Sequence, residues 1–209
     1  MTDTTTYTDI ANFALDHVGG LNIQNIDNEN DPNAILCKRH LGRCIRAEFD
    51  KYEWTCARKF KAVNEVDYTK KPDAYIKGYK AYELPTDFSR LSQYFFSEYY
   101  PYRKNQYDLG HNYFLTAEYL YCKYPLETLP YCSNKVPIAK WPQLMCDVMA
   151  AALAKSIARK IMGTDEDVSV TTAIYNKAVS DARRQQVLQM EPSGTGPTET
   201  QVSRLMYYG

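Results

Sequence analysis

The sequence predicts an α+β protein in which N-terminal and C-terminal helices form a helical bundle and an antiparallel β-sheet region is inserted between them. Three features predict it. Apolar residues recur at helical spacing up to Tyr52; from Trp54 to about Tyr124 short β-branched and aromatic runs take over, broken by proline, glycine and asparagine; and helical spacing returns at Trp141-Pro142. A chain of 209 residues with 44% apolar content can bury a core as one domain, or as a helical part and a sheet part.

The first helix is expected over residues 8–18, with Thr8 as its cap, Ile10, Phe13, Ala14 and Val18 on one face, and Gly19-Gly20 ending it. The polar run NIQNIDNEN is a loop. Asp31-Pro32 then starts a second helix, with a capping carboxylate and a proline at the first helical position, where its missing N–H costs nothing. Leu41, Ile45, Phe49 and Tyr52 carry its apolar stripe to about Tyr52. The runs KFKAVNEV, AYIKGYKAYEL and YFLTAEYLYCKY are the strands of an antiparallel sheet.

Tyrosine is concentrated in this middle region, with nine of the chain's 19 between Tyr94 and Tyr124. Rigid amphipathic rings suit a sheet face shared between core and a protein partner, and equally suit cross-strand pairs on a solvated sheet. Helix returns at Trp141-Pro142, where Met145, Met149, Leu153, Ile157 and Ile161 form an i+4 ridge and Ala150, Ala151, Ala152, Ala154 and Ala158 permit close helix approach. Gly163 stops this helix. After the acidic turn TDEDVS a further helix is expected from about Val170 to Met190 on Ile174, Ala178 and Ala182, antiparallel to the one before.

Residues 191–201, EPSGTGPTETQ, are too polar and too rich in proline and glycine to pack, yet Val202, Leu205, Met206, Tyr207 and Tyr208 follow. A flexible tether ending in an apolar peptide suits docking onto a partner; the alternative is that the end folds back on its own domain. The expected division is therefore 1–53 and 137–191 for the helical domain, 54–136 for the β region, and 192–209 for a flexible docking tail.

Lys+Arg and Asp+Glu both total 25, so no net charge draws the chain toward nucleic acid or an acidic membrane. No apolar run approaches the roughly 20 residues a bilayer crossing needs, and the first residues, MTDTTTYTDI, lack the pattern of a secretory signal. Six cysteines without a CxxC pair predict free thiols in a reducing cytosol. Cys37, His40 and Cys44 lie three and four residues apart on one helix, but zinc wants a fourth ligand and closer pairs, so neither a metal nor a cofactor is expected. No GxSxG, HExxH or phosphate-cradling glycine loop is present, and Asp165, Glu166 and Asp167 belong to a helix start. An enzyme is not expected. The basic run Lys38, Arg39, Arg43 and Arg46 spreads around its helix as a solvated face.

Several segments together resemble the head-to-tail adaptor proteins of short-tailed bacteriophages, the tail tubular protein A-like family. They are IANFALDHVGG; the long helix ILCKRHLGRCIRAEFDKYEWTCA with Trp54 at its exit; a tyrosine-bearing strand running into Leu84, Pro85 and Asp87; GHNYFLT; WPQLMCDVMAAALAKSIARKIMG; and YNKAVSDARR. Their order covers roughly residues 8–190. Cys56 departs from the family's usual aromatic, and the tyrosine-rich insert from Tyr99 to Tyr113 has no counterpart.

The resemblance implies a homo-oligomeric ring, dodecameric in the family, beneath the portal vertex. That ring would bind the phage portal protein and the downstream tail tube or nozzle protein, and pass genomic DNA without reading its sequence. The implied location is the virion, at the head–tail junction, after assembly in the host bacterial cytoplasm. On this view Val202, Leu205, Met206, Tyr207 and Tyr208 bind portal or a neighbouring subunit, and Tyr99, Tyr100 and Tyr102 bind the tail component. Lys38, Arg39, Arg43 and Arg46 line the channel, and Leu84, Pro85 and Asp87 form a structural corner. The competing expectations are a cysteine- or zinc-dependent hydrolase and a phage accessory protein that binds nucleic acid.

Overall fold

The computed structural model describes residues 5–92 and 113–190, with backbone only at 165–167 and 187–190. It has an α+β fold, and its described residues divide into two compact units, one within 57–135 and one built from those up to 56 together with those from 136 to 190. Tyr99, Tyr100 and Tyr102, and the tail with Val202, Leu205, Met206, Tyr207 and Tyr208, lie outside the described residues.

The helical unit contains α1 (Tyr7–His17), α2 (Pro32–Lys51), α3 (Gln143–Ile161) and α4 (Asp165–Met190). The cap of α1 is Thr6 rather than Thr8: Thr6 and Asp9 form a reciprocal capping box, while the Thr8 hydroxyl accepts a bond from the Ile26 N–H in the following loop. Gly19, at φ 64°, ends α1, with the Gly20 N–H returning to the Leu15 carbonyl. Asp31 caps α2 through the N–H groups of Asn33 and Ala34, ahead of Pro32. The α3 ridge is buried as its spacing predicts, with Met145, Met149, Leu153 and Ile157 at 0% exposure. Its small alanines are buried too, because α3 packs against α1, α2 and α4 together.

Gly163, at φ 85°, turns the chain into α4, which begins at Asp165, a turn and more before the expected start at Val170. Its buried face is Thr171, Tyr175, Val179 and Ala182; of the expected Ile174-Ala178-Ala182 stripe Ala182 is buried, while Ile174 and Ala178 are only half-buried. On α1, Phe13 is 44% exposed although it shares the apolar spacing of Ile10 and Ala14. Two indoles close the unit's core. Trp141 donates to the Val136 carbonyl and sets ring edges against Tyr7 and Phe49. Trp54 donates to the Glu48 carbonyl, satisfying an acceptor at the end of α2.

Among the described residues the β unit holds two three-stranded antiparallel sheets where the sequence predicts one. Strands β1 (Arg58–Ala62), β6 (Thr128–Ser133) and β3 (Phe88–Leu91) form the first in that order; β2 (Lys80–Glu83), β5 (Tyr119–Cys122) and β4 (Tyr113–Leu115) form the second. The central strand β6 contains Pro130, which cannot donate to a ladder. Its carbonyl accepts from the Ser92 N–H, so the missing donor falls where β3 has already ended. Leu91, Leu129 and Tyr131 of the first sheet pack with Tyr82, Leu120 and Cys122 of the second in one apolar cluster. The opposite face of the second sheet is covered by Val66 and Ala74 against Ala81 and Tyr121, with Phe114 stacked on Tyr121 at 4.6 Å. Tyr82, Tyr121 and Tyr131 are therefore core residues, each at most 5% exposed.

Candidate functional site

The corner Leu84-Pro85-x-Asp87 joins β2 of one sheet to β3 of the other. The Leu84 N–H reaches the Glu118 carbonyl, extending the β2–β5 pair, and the Phe88 N–H turns back to the Pro85 carbonyl. The sequence suggests that the Asp87 carboxylate takes a backbone N–H. Instead it collects three side chains: Lys59 Nζ at 2.6 Å, Ser133 Oγ at 2.7 Å and Tyr131 OH at 3.0 Å, while its backbone carbonyl accepts the Asn134 N–H. Burial alone would raise its pKa, but these donors outweigh burial and hold the carboxyl at about 2. The same bond, added to burial, pushes the Tyr131 phenol up to about 12. Asp87 thus ties β1, β6 and the β2–β3 corner into one knot.

In the helical unit a groove of about 430 Å³ opens between α2, α3 and α4. Arg43 and Lys51 of α2 and Lys155 of α3 surround it; Ala47 and Ala152 form small apolar patches; Tyr175 of α4 reaches in from below. Beneath lies Glu48, 2% exposed, whose carboxylate accepts from Tyr175 OH at 2.9 Å and Lys51 Nζ at 2.9 Å. Lys51 also donates to the Tyr175 oxygen at 3.2 Å, and Lys155 sits 5.1 Å from the centre of the same ring. Burial, then the Glu48 charge, then hydrogen bonds to Tyr52 and Glu48 raise the Tyr175 phenol far above its ordinary value. Tyr52 in turn lies under the Arg183 guanidinium at 4.0 Å. The cations at the rim outnumber the one carboxylate, so the groove favours anionic groups.

Of the residues singled out by sequence, His40, Arg43 and Cys44 come to this groove. His40 is held below its usual pKa by burial and by the charges of Lys160, Arg39 and Arg43. Cys44 donates weakly to the Ala152 carbonyl and to Ser156 Oγ, and burial raises its thiol. Cys37 points into the core at 0% exposure, and burial with the nearby Asp31 pushes its thiol up to about 11. Among the described residues no group of three His, Cys, Asp or Glu side chains converges as metal ligands would.

The basic run does not spread around α2. Lys38 is drawn off into an ion pair with Asp27 at 2.9 Å. Arg39, Arg43 and Arg46 lie within roughly 60° of one another at 3.6 residues per turn, all exposed. Sequence reasoning missed Glu48, Lys51, Lys155 and Tyr175. Glu48 carried a signal, since it sits seven residues beyond Leu41 on the buried side of α2, where a carboxylate needs a partner.

No protein-family model matches the chain, and no curated protein aligns with it significantly. Among the described residues no helix is long and apolar enough to cross a membrane.

Proposed function

We propose that this chain is a structural virion protein, a head-to-tail adaptor that assembles as a ring below the portal of a short-tailed bacteriophage. The ring extends the DNA channel and presents an attachment surface to the next tail component, without catalysis. One observation supports the reading: three of the segments that resemble the family carry joints of the scaffold. Trp54 closes α2, Leu84-Pro85-x-Asp87 is the knotted corner between the sheets, and Trp141-Pro142 opens the central helix α3. Motifs spent on joints suit a building block.

Attachment is assigned to the tail, with Val202, Leu205, Met206, Tyr207 and Tyr208 docking on portal or a neighbouring copy, each weak contact multiplied around the ring. The test is capture of portal protein by immobilised chain, with complexes imaged by electron microscopy. The full chain should capture portal and form co-axial rings. Deleting residues 192–209 should leave the far-UV circular dichroism per residue of the helical unit in place and abolish capture, and serine at 205–208 should weaken it. Capture at full strength without the tail would remove the tail's role. Absence of any complex with the full chain would overturn the adaptor reading.

A further inference from the structure

The exposed side of α2 carries a feature that its own fold does not account for. Gly42 stands mid-helix with ordinary backbone angles, since the glycines at positive φ are Gly19, Gly78 and Gly163. A Cβ built on it would meet nothing within 4 Å. Glycine is the least favourable helix-interior residue after proline, and neither conformation nor internal packing asks for it here. Its remaining use is to let another molecule approach the helix backbone closely.

The residues around Gly42 describe what approaches. Ile35, Arg39, Gly42 and Arg46 follow one another at i, i+4, i+7 and i+11, a ridge roughly 16 Å long at 1.5 Å per residue, with Arg43 beside it. Ile35 is 40% exposed although strongly apolar. Among the described residues neither Arg39 nor Arg43 has a carboxylate partner, and Arg46 is bonded only within its own helix, to the Gly42 carbonyl at 3.3 Å. Asp50, one turn further on, ends the basic stripe.

A matching surface exists elsewhere on the helical unit. A groove of about 550 Å³ between α1, α3 and α4 has an apolar floor that includes Ala151 and Ile174, with the half-exposed Phe13 at one side. Asp16, Asp147 and Asp181 stand on its rim, one from each helix, together with Lys177 and His17. Among the described residues none of the three aspartates has a lysine or arginine partner; Asp147 accepts only from Gln143 Nε2 at 3.0 Å.

We propose that the Ile35-Arg39-Gly42-Arg46 ridge of α2, with Arg43, seats in the acid-rimmed groove between α1, α3 and α4 of a second copy of this chain. The guanidinium groups meet the aspartates, Ile35 and the arginine methylenes cover the apolar floor, and Gly42 lets α2 sink between the helices. Ridge and groove are different surfaces, so the contact runs head to tail from one copy to the next, the kind of contact that closes into a ring in which every ridge and every groove is filled. It rests on the homo-oligomeric part of the function proposed above and names the faces involved. The arginines thereby belong to a contact between copies rather than to a channel wall.

Sedimentation velocity of the full chain tests this. Wild type should self-associate with increasing concentration, and association should weaken by roughly tenfold or more from low salt to about 0.5 M NaCl, as charges are screened. Reversing the ridge (Arg39→Glu with Arg43→Glu) or the groove (Asp147→Lys with Asp181→Lys) should abolish association. Mixing the two variants should restore it, because native ridge meets native groove and reversed meets reversed. Gly42→Leu, at an open helical position, should abolish association with the thermal unfolding midpoint kept or raised, which separates docking from folding. Either reversal variant or Gly42→Leu assembling at wild-type strength would overturn the assignment of faces, as would a wild-type chain that stays monomeric. Portal capture through the tail is measured separately, so failure here leaves the adaptor reading to its own test.

Discussion

The Tyr175 hydroxyl of α4 lies 2.9 and 3.1 Å from the two oxygens of the buried Glu48 carboxylate of α2, joining residues 127 positions apart in sequence. A carboxylate at 2% exposure is stable only while donors surround it, and here they are one phenol and one half-exposed ammonium, Lys51. This pair is the polar tie between the second and fourth helices, beneath a groove rimmed by cations.

Tyr175→Phe should therefore destabilise the helical unit by about 1–3 kcal/mol, the cost of removing a donor from a buried acceptor, measured by urea unfolding. The raised phenol also has an alkaline signature. Above the ordinary tyrosine range the unfolded chain loses this proton while the folded chain keeps it, so stability falls as pH rises past about 10. Ultraviolet titration should show Tyr175 ionising only as the protein unfolds, and the alkaline loss should be smaller in the phenylalanine variant.

Asp87 acts at the acidic end. Its folded pKa of about 2 lies below the unfolded value of about 3.8, so its contribution is complete above pH 4 and is lost as pH falls between those two values. Asp87→Asn should cost about 2 kcal/mol through three weakened side-chain hydrogen bonds and flatten the dependence of stability on pH between 4 and 2. An asparagine variant with unchanged unfolding at pH 7 would show that the knot does not hold the corner.

The thiols offer a chemical readout. Burial raises Cys37 and Cys56 to about 11 and lifts Cys44 and Cys146 as well. At pH 7.5 a thiol of pKa 11 is thiolate at only about three parts in ten thousand. Iodoacetamide should label Cys37 and Cys56 at least about 100-fold more slowly in the folded protein than in urea, by mass spectrometry of the digested chain. Rapid labelling of Cys37 in the folded state would revive a nucleophilic role for it.

The local features are legible in the sequence alone. Asp31-Pro32 caps and starts α2, Gly163 ends α3, and the Met145-Met149-Leu153-Ile157 ridge is buried, because capping, left-handed glycine turns and helical periodicity act over a few residues. The α+β class follows from the same short-range signals. The arginine stripe is also within reach, since Arg39, Arg43 and Arg46 have helical spacing. Lys38 blurs that stripe, and only the fold shows it turned aside to Asp27.

Composition and spacing thus decided which segments are helix, which are extended, and where several of them begin and end. Only the tertiary structure decided that the strands divide into two sheets around a proline-bearing central strand, that α4 buries Tyr175 instead of Ile174, and that Asp87 gathers Lys59, Tyr131 and Ser133. The physical reason is distance along the chain. Asp87's partners lie 28 to 46 residues away, and Tyr175 lies 127 residues from Glu48. Hydrogen bonding between such residues depends on how whole elements pack, which no local periodicity encodes.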